Sequence, residues 1–201
     1  MGNRILFVCH ANECRSPVMA GTMIAALEGA GRQDEWRVSS GGTDSRGGPL
    51  CPVAIDVLAD AMDAALLADY RDHFVSTAIA ERTLERADLV LTATREERAA
   101  IALRAPAARS RTFTLREAIG LMAGDGESAV DLAAYADILH ERRGLTGAAS
   151  HRRFLALRKS NDPNDIPDVH HAALRAHRAG LQEVREASRV LASGILAAIG
   201  E

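Results

Sequence analysis

Apolar positions along the chain fall into short blocks separated by polar, helix-forming stretches. Arg4-Ile5-Leu6-Phe7-Val8-Cys9 is a run of the kind that forms a buried strand. Ser16-Pro17 then opens a helical stretch through about Gly29, with proline in the first turn, where its missing N–H costs nothing. Trp36-Arg37-Val38-Ser39-Ser40 reads as a second strand ended by Gly41-Gly42, and a Gly-rich loop from Gly41 to Pro52 leads into a helix near Val53 to Ala64. Ala87-Asp88-Leu89-Val90-Leu91-Thr92 is a third strand, followed by a charged helix from about Arg95. Arg111-Thr112-Phe113-Thr114-Leu115 is a fourth. Residues from about 120 to 160 carry a helical pattern without a strand and give way to the turn-rich segment Ser160 to Asp168. The last helix, about Ala172 to Ile199, places Leu174, His177, Leu181, Val184, Ser188, Leu191 and Ile195 on one stripe.

Strands alternating with helices predict parallel βαβ units: an α/β fold with a parallel four-stranded sheet, helices on both faces and an anion-binding loop after the first strand. Without repeats or low-complexity tracts, residues 1–201 read as one domain, with 120–160 as a helical elaboration that packs at least partly on the core.

Composition narrows the functional classes. A chain of 201 residues with 47% hydrophobic and 25% charged residues and a net charge of −3 suits a globular protein with a substantial core. Apolar runs fall far short of a membrane span, and MGNRILFVCHANE lacks the layout of a signal peptide, so a cytoplasmic protein without membrane association is expected. Nucleic acid is disfavoured as a partner because no segment concentrates cations without interleaved acids. Aromatic residues make up 3%, too few for stacking surfaces. Lys159 is the only lysine, a coding bias of high-GC genomes. The cysteines Cys9, Cys14 and Cys51 do not make a disulfide framework, so their reactivity is the useful question.

The segment Val8-Cys9-His10-Ala11-Asn12-Glu13-Cys14-Arg15-Ser16-Pro17 carries the chemistry. A thiol ends a strand, five residues intervene, and an arginine stands at the mouth of a helix. Backbone N–H groups of such a loop, together with the helix N-terminus, cradle a tetrahedral oxyanion. The guanidinium grips two of its oxygens, and the same positive field favours the thiolate form of Cys9. A thiolate beneath a bound phosphoryl group is positioned for in-line attack.

CHANECRSP resembles the CxGNxCRSP loop of the low-molecular-weight protein tyrosine phosphatases. Val38-Ser39-Ser40-Gly41-Gly42-Thr43 looks like the "SAGT" segment of that family, Ala87 to Arg95 like its "ADLVLTMTR" strand, and Ile166-Pro167-Asp168 like its "IPDP" loop. The resemblance implies a phosphatase that hydrolyses a phosphomonoester of the phosphotyrosine-protein type, on a phosphorylated protein or a small molecule, through a cysteinyl-phosphate intermediate and without a cofactor. By position it implies Cys9 as nucleophile, Arg15 as phosphate clamp, and Asp168 as the acid that protonates the leaving group and then activates water. His10, Ala11, Asn12, Glu13, Cys14 and Ser16 complete the substrate-binding loop, with Ser16 hydrogen-bonded to the thiolate and Asn12 holding a positive φ. Ser40 and His73 would brace Asn12. No Cys/His spacing suggests a metal, and His170-His171 read as a solvated loop pair.

Several positions depart from the family pattern. Ala11 replaces the loop glycine, at little cost if its φ is negative. Glu13 puts a carboxylate at the pocket rim, pointing either outward or toward a cation on the substrate such as phosphoarginine. Val169 replaces the proline after the acid, and His170-His171 replace aromatic residues that flank a phenol ring. Asp162-Pro163 offers an alternative acid to Asp168. Cys14 is a candidate for a reversible disulfide with Cys9. The loop also serves arsenate reductases; an intramolecular disulfide cascade would need more cysteines than Cys51, which leaves a version coupled to a small thiol. A binding protein that kept the cradle without turnover is the third reading. Oligomeric state has no sequence signature.

Overall fold

The computed structural model describes residues 2–122, 128–150 and 162–200, with the side chains of 145–150 also left aside. Asn3–Cys9 (β1) lies between Trp36–Gly42 (β2) and Leu89–Thr92 (β3), with Thr112–Thr114 (β4) beyond β3. The order is β2-β1-β3-β4, and every neighbouring pair is parallel. Ile5 pairs with both Val38 and Leu89, and Cys9 ends β1 opposite Gly42.

Parallel strands need crossovers, and helices supply them. In chain order they are Arg15–Gly29 (α1), Pro52–Leu58 (α2), Ala64–His73 (α3), Glu81–Arg86 (α4), Arg95–Arg104 (α5), Leu115–Leu121 (α6), Leu132–Ser150 (α7) and Leu174–Ala198 (α8). Side chains alternate across the sheet, so β1 feeds two cores. Ile5, Phe7 and Cys9 join Leu89, Leu91 and Phe113 against α1, α2, α6, α7 and α8. Leu6 and Val8 join Val90 on the other face, with Leu84 of α4 and Ile101 of α5. Strands buried on both faces explain why their sequences run apolar rather than alternating.

The expected α/β architecture is present, with all four strands at their predicted places. Some boundaries differ. β2 runs on through Gly41-Gly42 because those residues still pair with β1. The helix expected over 53–64 ends at Leu58, and a separate α3 begins after Asp63, whose carboxylate accepts the Leu66 N–H at 2.8 Å. The α8 stripe is buried as predicted from His177 to Ile195, but Leu174 is 70% exposed because it starts the helix beyond the edge of the core. The elaboration over 120–160 contributes α7, whose Leu132, Tyr135, Ala136 and Leu139 are buried in the main core. Residues 123–127 and 151–160 of that segment lie outside the described residues. Among the described residues no helix is long and apolar enough to cross a membrane.

The C-terminal ends of β1, β2 and β3 meet where the chain has turned one way to β2 and returned to β3 on the other side. Such a reversal opens a crevice above the sheet, and the loops at its mouth are placed to hold a ligand.

Candidate active site

The loop between β1 and α1 fills that crevice. Its shape depends on Asn12, the sole non-glycine residue with positive φ (58°) among those described. Asn12 is 1% exposed, and its side chain is fully engaged. Nδ2 donates to Ser16 Oγ at 3.0 Å and to Ser40 Oγ at 2.9 Å, while Oδ1 accepts the Thr77 N–H at 2.9 Å. The Asn12 N–H in turn points at Cys9 Sγ, 3.3 Å away, and Ser16 Oγ lies 3.1 Å from the same sulfur. The Asn12 N–H donor and the Ser16 hydroxyl therefore converge on the thiol at the end of β1. Ala11 keeps a negative φ, so its methyl group brings no backbone strain.

β2 grips the loop from the side. Thr43 N–H donates to Cys9 C=O and Asp44 N–H to His10 C=O, both at 3.0 Å. A Cβ on Gly42 would stand 2.5 Å from His10 C=O, so the close approach requires glycine there.

Ser40 reaches Asn12 as expected, and His73 does not. His73 sits at the exposed end of α3, its Nδ1 2.9 Å from Asp69 C=O and 3.1 Å from Asp69 Oδ1, which together raise its pKa. The place beside Asn12 expected for His73 is taken by the backbone N–H of Thr77. A backbone donor needs no particular side chain, so no residue type announces it.

Arg15 opens α1 and is 5% exposed. Nη2 donates to Asp168 Oδ2 at 2.5 Å, Nη1 donates to Ile166 C=O at 3.2 Å, and Glu97 Oε1 lies 3.7 Å from Nη1. Glu97 is the residue that sequence reading missed. It closes the N-terminal capping box of α5 with Thr94, whose N–H it accepts at 2.6 Å. The pattern Thr94-Arg95-Glu96-Glu97 directly after a strand is a visible cap signal. Nothing in it shows that the capping carboxylate also faces a buried arginine. Burial raises the Glu97 pKa, against the pull of Thr94 and Arg15.

The segment carrying Asp168 is pinned to the end of β3. Ile166 N–H donates to Ala93 C=O at 2.9 Å, and Asp165 Oδ1 accepts the Arg95 N–H at 2.8 Å. Asp162, the alternative acid, forms an ion pair with Arg95 at 2.7 Å instead of meeting Cys9 or Arg15. Val169 packs on α8 so closely that a Cβ on Gly180 would stand 2.6 Å from its Cγ2. Asp168 itself is half exposed at the lip of the cleft. Partial burial pushes its pKa up, but the His170 N–H at 3.0 Å and the Arg15 charge outweigh that and hold it below the ordinary carboxylate range.

Cys9, Arg15, Asp168, Glu13, His170 and His171 thus line one small cleft, with His10, Ala11 and Cys14. His10 is exposed, 3.8 Å from Asp44. Glu13 is half buried at the rim beside Gly48, and its carboxylate has no hydrogen-bond or ion-pair partner among the described residues. Cys14 has His170 Nδ1 at 3.0 Å and Cys51 as its hydrogen-bond partners rather than Cys9. The Cys14 thiol donates to Cys51 and draws its pKa down to about 5, while that of Cys14 is pushed up. His170 is exposed at the cleft yet meets the Cys14 thiol, so it is more than a solvated loop residue. Cys14, Cys51 and the pair His170 and His177 come together from three separate stretches of chain, which no local spacing could reveal.

The chain is similar to known proteins. Residues 4–128 match the family described as low molecular weight phosphotyrosine protein phosphatase. The protein-arginine-phosphatase of Bacillus subtilis (strain 168) is 32% identical over 121 residues, covering 60% of this chain and 75% of that protein. A low molecular weight protein tyrosine phosphatase from T. tengcongensis superposes with a TM-score of 0.63 at 20% identity, over 96% of this chain and 99% of that one. An arginine phosphatase from Geobacillus stearothermophilus gives a TM-score of 0.59 at 23% identity, over 95% and 91%. The fold of the two solved structures thus extends beyond the matched segment into α8, the element that packs behind Asp168. With most of its length matched and the loop chemistry in place, the chain belongs to the low molecular weight phosphotyrosine protein phosphatase family and is a cysteine-dependent phosphatase.

Proposed function

We propose that Cys9, Arg15 and Asp168 carry the reaction and that the preferred substrate is phosphoarginine in a protein. The unpartnered Glu13 carboxylate at the rim carries the choice of substrate. A phosphate dianion alone is repelled by it, whereas a guanidinium leaving group supplies the cation that it lacks. The arginine phosphatase relative supports the same reading.

In the first step the phosphoryl group enters the cradle and takes over Arg15 from Asp168. Cys9 Sγ attacks phosphorus in line, the bond to the leaving atom breaks, and Asp168 delivers its proton to that atom. Binding the dianion favours this, because Asp168 loses its cationic partner and gains a negative neighbour, both of which promote protonation. Ser16 donates to the sulfur as it leaves, so that water activated by Asp168 can release phosphate in the second step. Asn12 and Ser40 hold the loop without touching the reacting atoms. Glu97 backs Arg15 from the side away from the solvent.

An aryl phosphate, phosphotyrosine among them, is the second reading, favoured by the family to which the chain belongs. Steady-state hydrolysis of a phosphoarginine peptide and of a phosphotyrosine peptide separates the two. Wild type is expected to prefer phosphoarginine, Glu13→Thr to lose most of the preference, and Cys9→Ser to be inactive on both. An unchanged preference in Glu13→Thr would refute the role of Glu13, and turnover by Cys9→Ser would refute the nucleophile.

A further inference from the structure

Four side chains that the phosphatase reaction does not require converge behind the cleft. Cys14 is the last residue before α1, Cys51 the last before α2, His177 lies in the first turn of α8, and His170 lies in the loop two residues past Asp168. Cys14, Cys51 and His177 are 8%, 7% and 5% exposed, and His170 closes the cluster from the solvent side. Their Sγ and ring nitrogen atoms all lie within 4.8 Å of one another. Cys14 Sγ is 3.0 Å from His170 Nδ1, and the two imidazole rings cross at 72° with centroids 5.4 Å apart.

Packing alone accounts poorly for this group. The imidazole of His177 is buried, and its side-chain partner is Cys51 Sγ at 3.9 Å, at the long end for a hydrogen bond to sulfur. Two thiols and two imidazoles are also the donor set that Zn²⁺ selects, through tetrahedral bonds of about 2.3 Å to sulfur and about 2.0 Å to nitrogen. Those lengths put neighbouring donors roughly 3.3–3.8 Å apart, and small side-chain rotations bring a cluster of this size to that spacing.

We propose that Cys14, Cys51, His170 and His177 form a tetrahedral Zn²⁺ site that clasps the Asp168 loop and the start of α8 onto the phosphate-binding loop. Counted from two neutral thiols, the ion would replace the protons of Cys14 and Cys51, which pass to solvent, and no electron changes hands. Two thiolates balance its charge, with both histidines neutral. All four positions are filled by protein donors, so the ion has a structural role and the phosphoryl chemistry stays with Cys9.

Co²⁺ is the probe, added to reduced, chelator-treated protein in the absence of oxygen. Wild type and Cys9→Ser are both expected to take up one Co²⁺ per chain, with the intense visible absorption of a tetrahedral site and a sulfur-to-cobalt charge-transfer band. Equimolar Zn²⁺ should bleach both features. Cys51→Ser and His177→Ala, each checked for a native circular dichroism spectrum, should lose more affinity than the roughly 10–100-fold that outer-shell partners cost. Weak, octahedral-type absorption or no uptake by the wild type overturns the site without reference to any variant in the cluster. Loss of the spectrum in Cys9→Ser would place the ion in the phosphate cradle instead. Survival of the tetrahedral spectrum in both Cys51→Ser and His177→Ala would also overturn it.

Discussion

Asn12 pays the conformational cost of a left-handed backbone and recovers it through bonds to Ser16, Ser40 and Thr77. That division of labour explains what could be read at the level of single residues. Cys9, Asn12, Arg15 and Ser16 are contiguous, so their spacing alone announces an anion loop. Ser40 was within reach because it abuts the glycines of β2. Thr77 contributes a main-chain group and Glu97 a cap that also serves as a counter-charge, and one-dimensional order shows neither function. The two candidate acids separate by their partners, since Asp168 faces Arg15 and Asp162 faces Arg95. Asp168→Asn is expected to slow hydrolysis of a phosphomonoester with a poor leaving group by about 10²–10⁴-fold, in the range for general acid–base catalysis. A nitrophenyl phosphate, which leaves without a proton, should be affected far less. Asp162→Asn should change neither by more than a few-fold in parallel steady-state assays, and the reverse order would move the acid to Asp162.

At the scale of elements, periodicity found what packing makes regular. The four strands and the stripe of α8 were legible because each buries a fixed face. α3, α4 and α6 were not, because they are short and their ends are set by local caps such as Asp63 and Thr114 rather than by a long apolar face. α8 also acts on the site at a distance through Gly180, which leaves room for Val169. Gly180→Ala would drive a methyl group into Val169 Cγ2, and the softest response is a shift of the Asp168 loop. We expect kcat to fall several-fold on a poor leaving group with little change on a nitrophenyl phosphate, while helix propensity offsets part of the steric cost by about 1 kcal/mol. An unchanged kcat on both substrates, in a protein that unfolds at the wild-type temperature, would show that the loop absorbs the methyl group elsewhere.

For the molecule as a whole, parallel topology brings the ends of β1, β2 and β3 to one rim, and the site is assembled from segments that the sequence keeps far apart. The same burial leaves a signature in global stability. Burial raises the pKa of Glu97 above 4.5 in the folded state. Its stabilising contribution is therefore fully present below that value and is lost as pH rises through the folded pKa. Glu97→Gln removes this titration, so its thermal midpoint should gain on the wild type as pH rises from about 4 to about 7. A gap between the two proteins that stays constant over that range, followed by calorimetry, would mean that Arg15 fully compensates the buried charge.

In the proposed reaction, the ion pair between Arg15 and Asp168 makes the resting cleft selective by valence. An incoming anion must outbid a carboxylate that is already in place. A singly charged oxyanion offers Arg15 no more charge than Asp168 does, whereas a dianion offers twice as much and pushes Asp168 toward its protonated form. The pair is thus a threshold that admits doubly ionised phosphoryl groups and passes over nitrate-like or carboxylate metabolites at equal concentration. In Asp168→Ala that threshold disappears, and inhibition constants for monoanions and dianions should draw closer together.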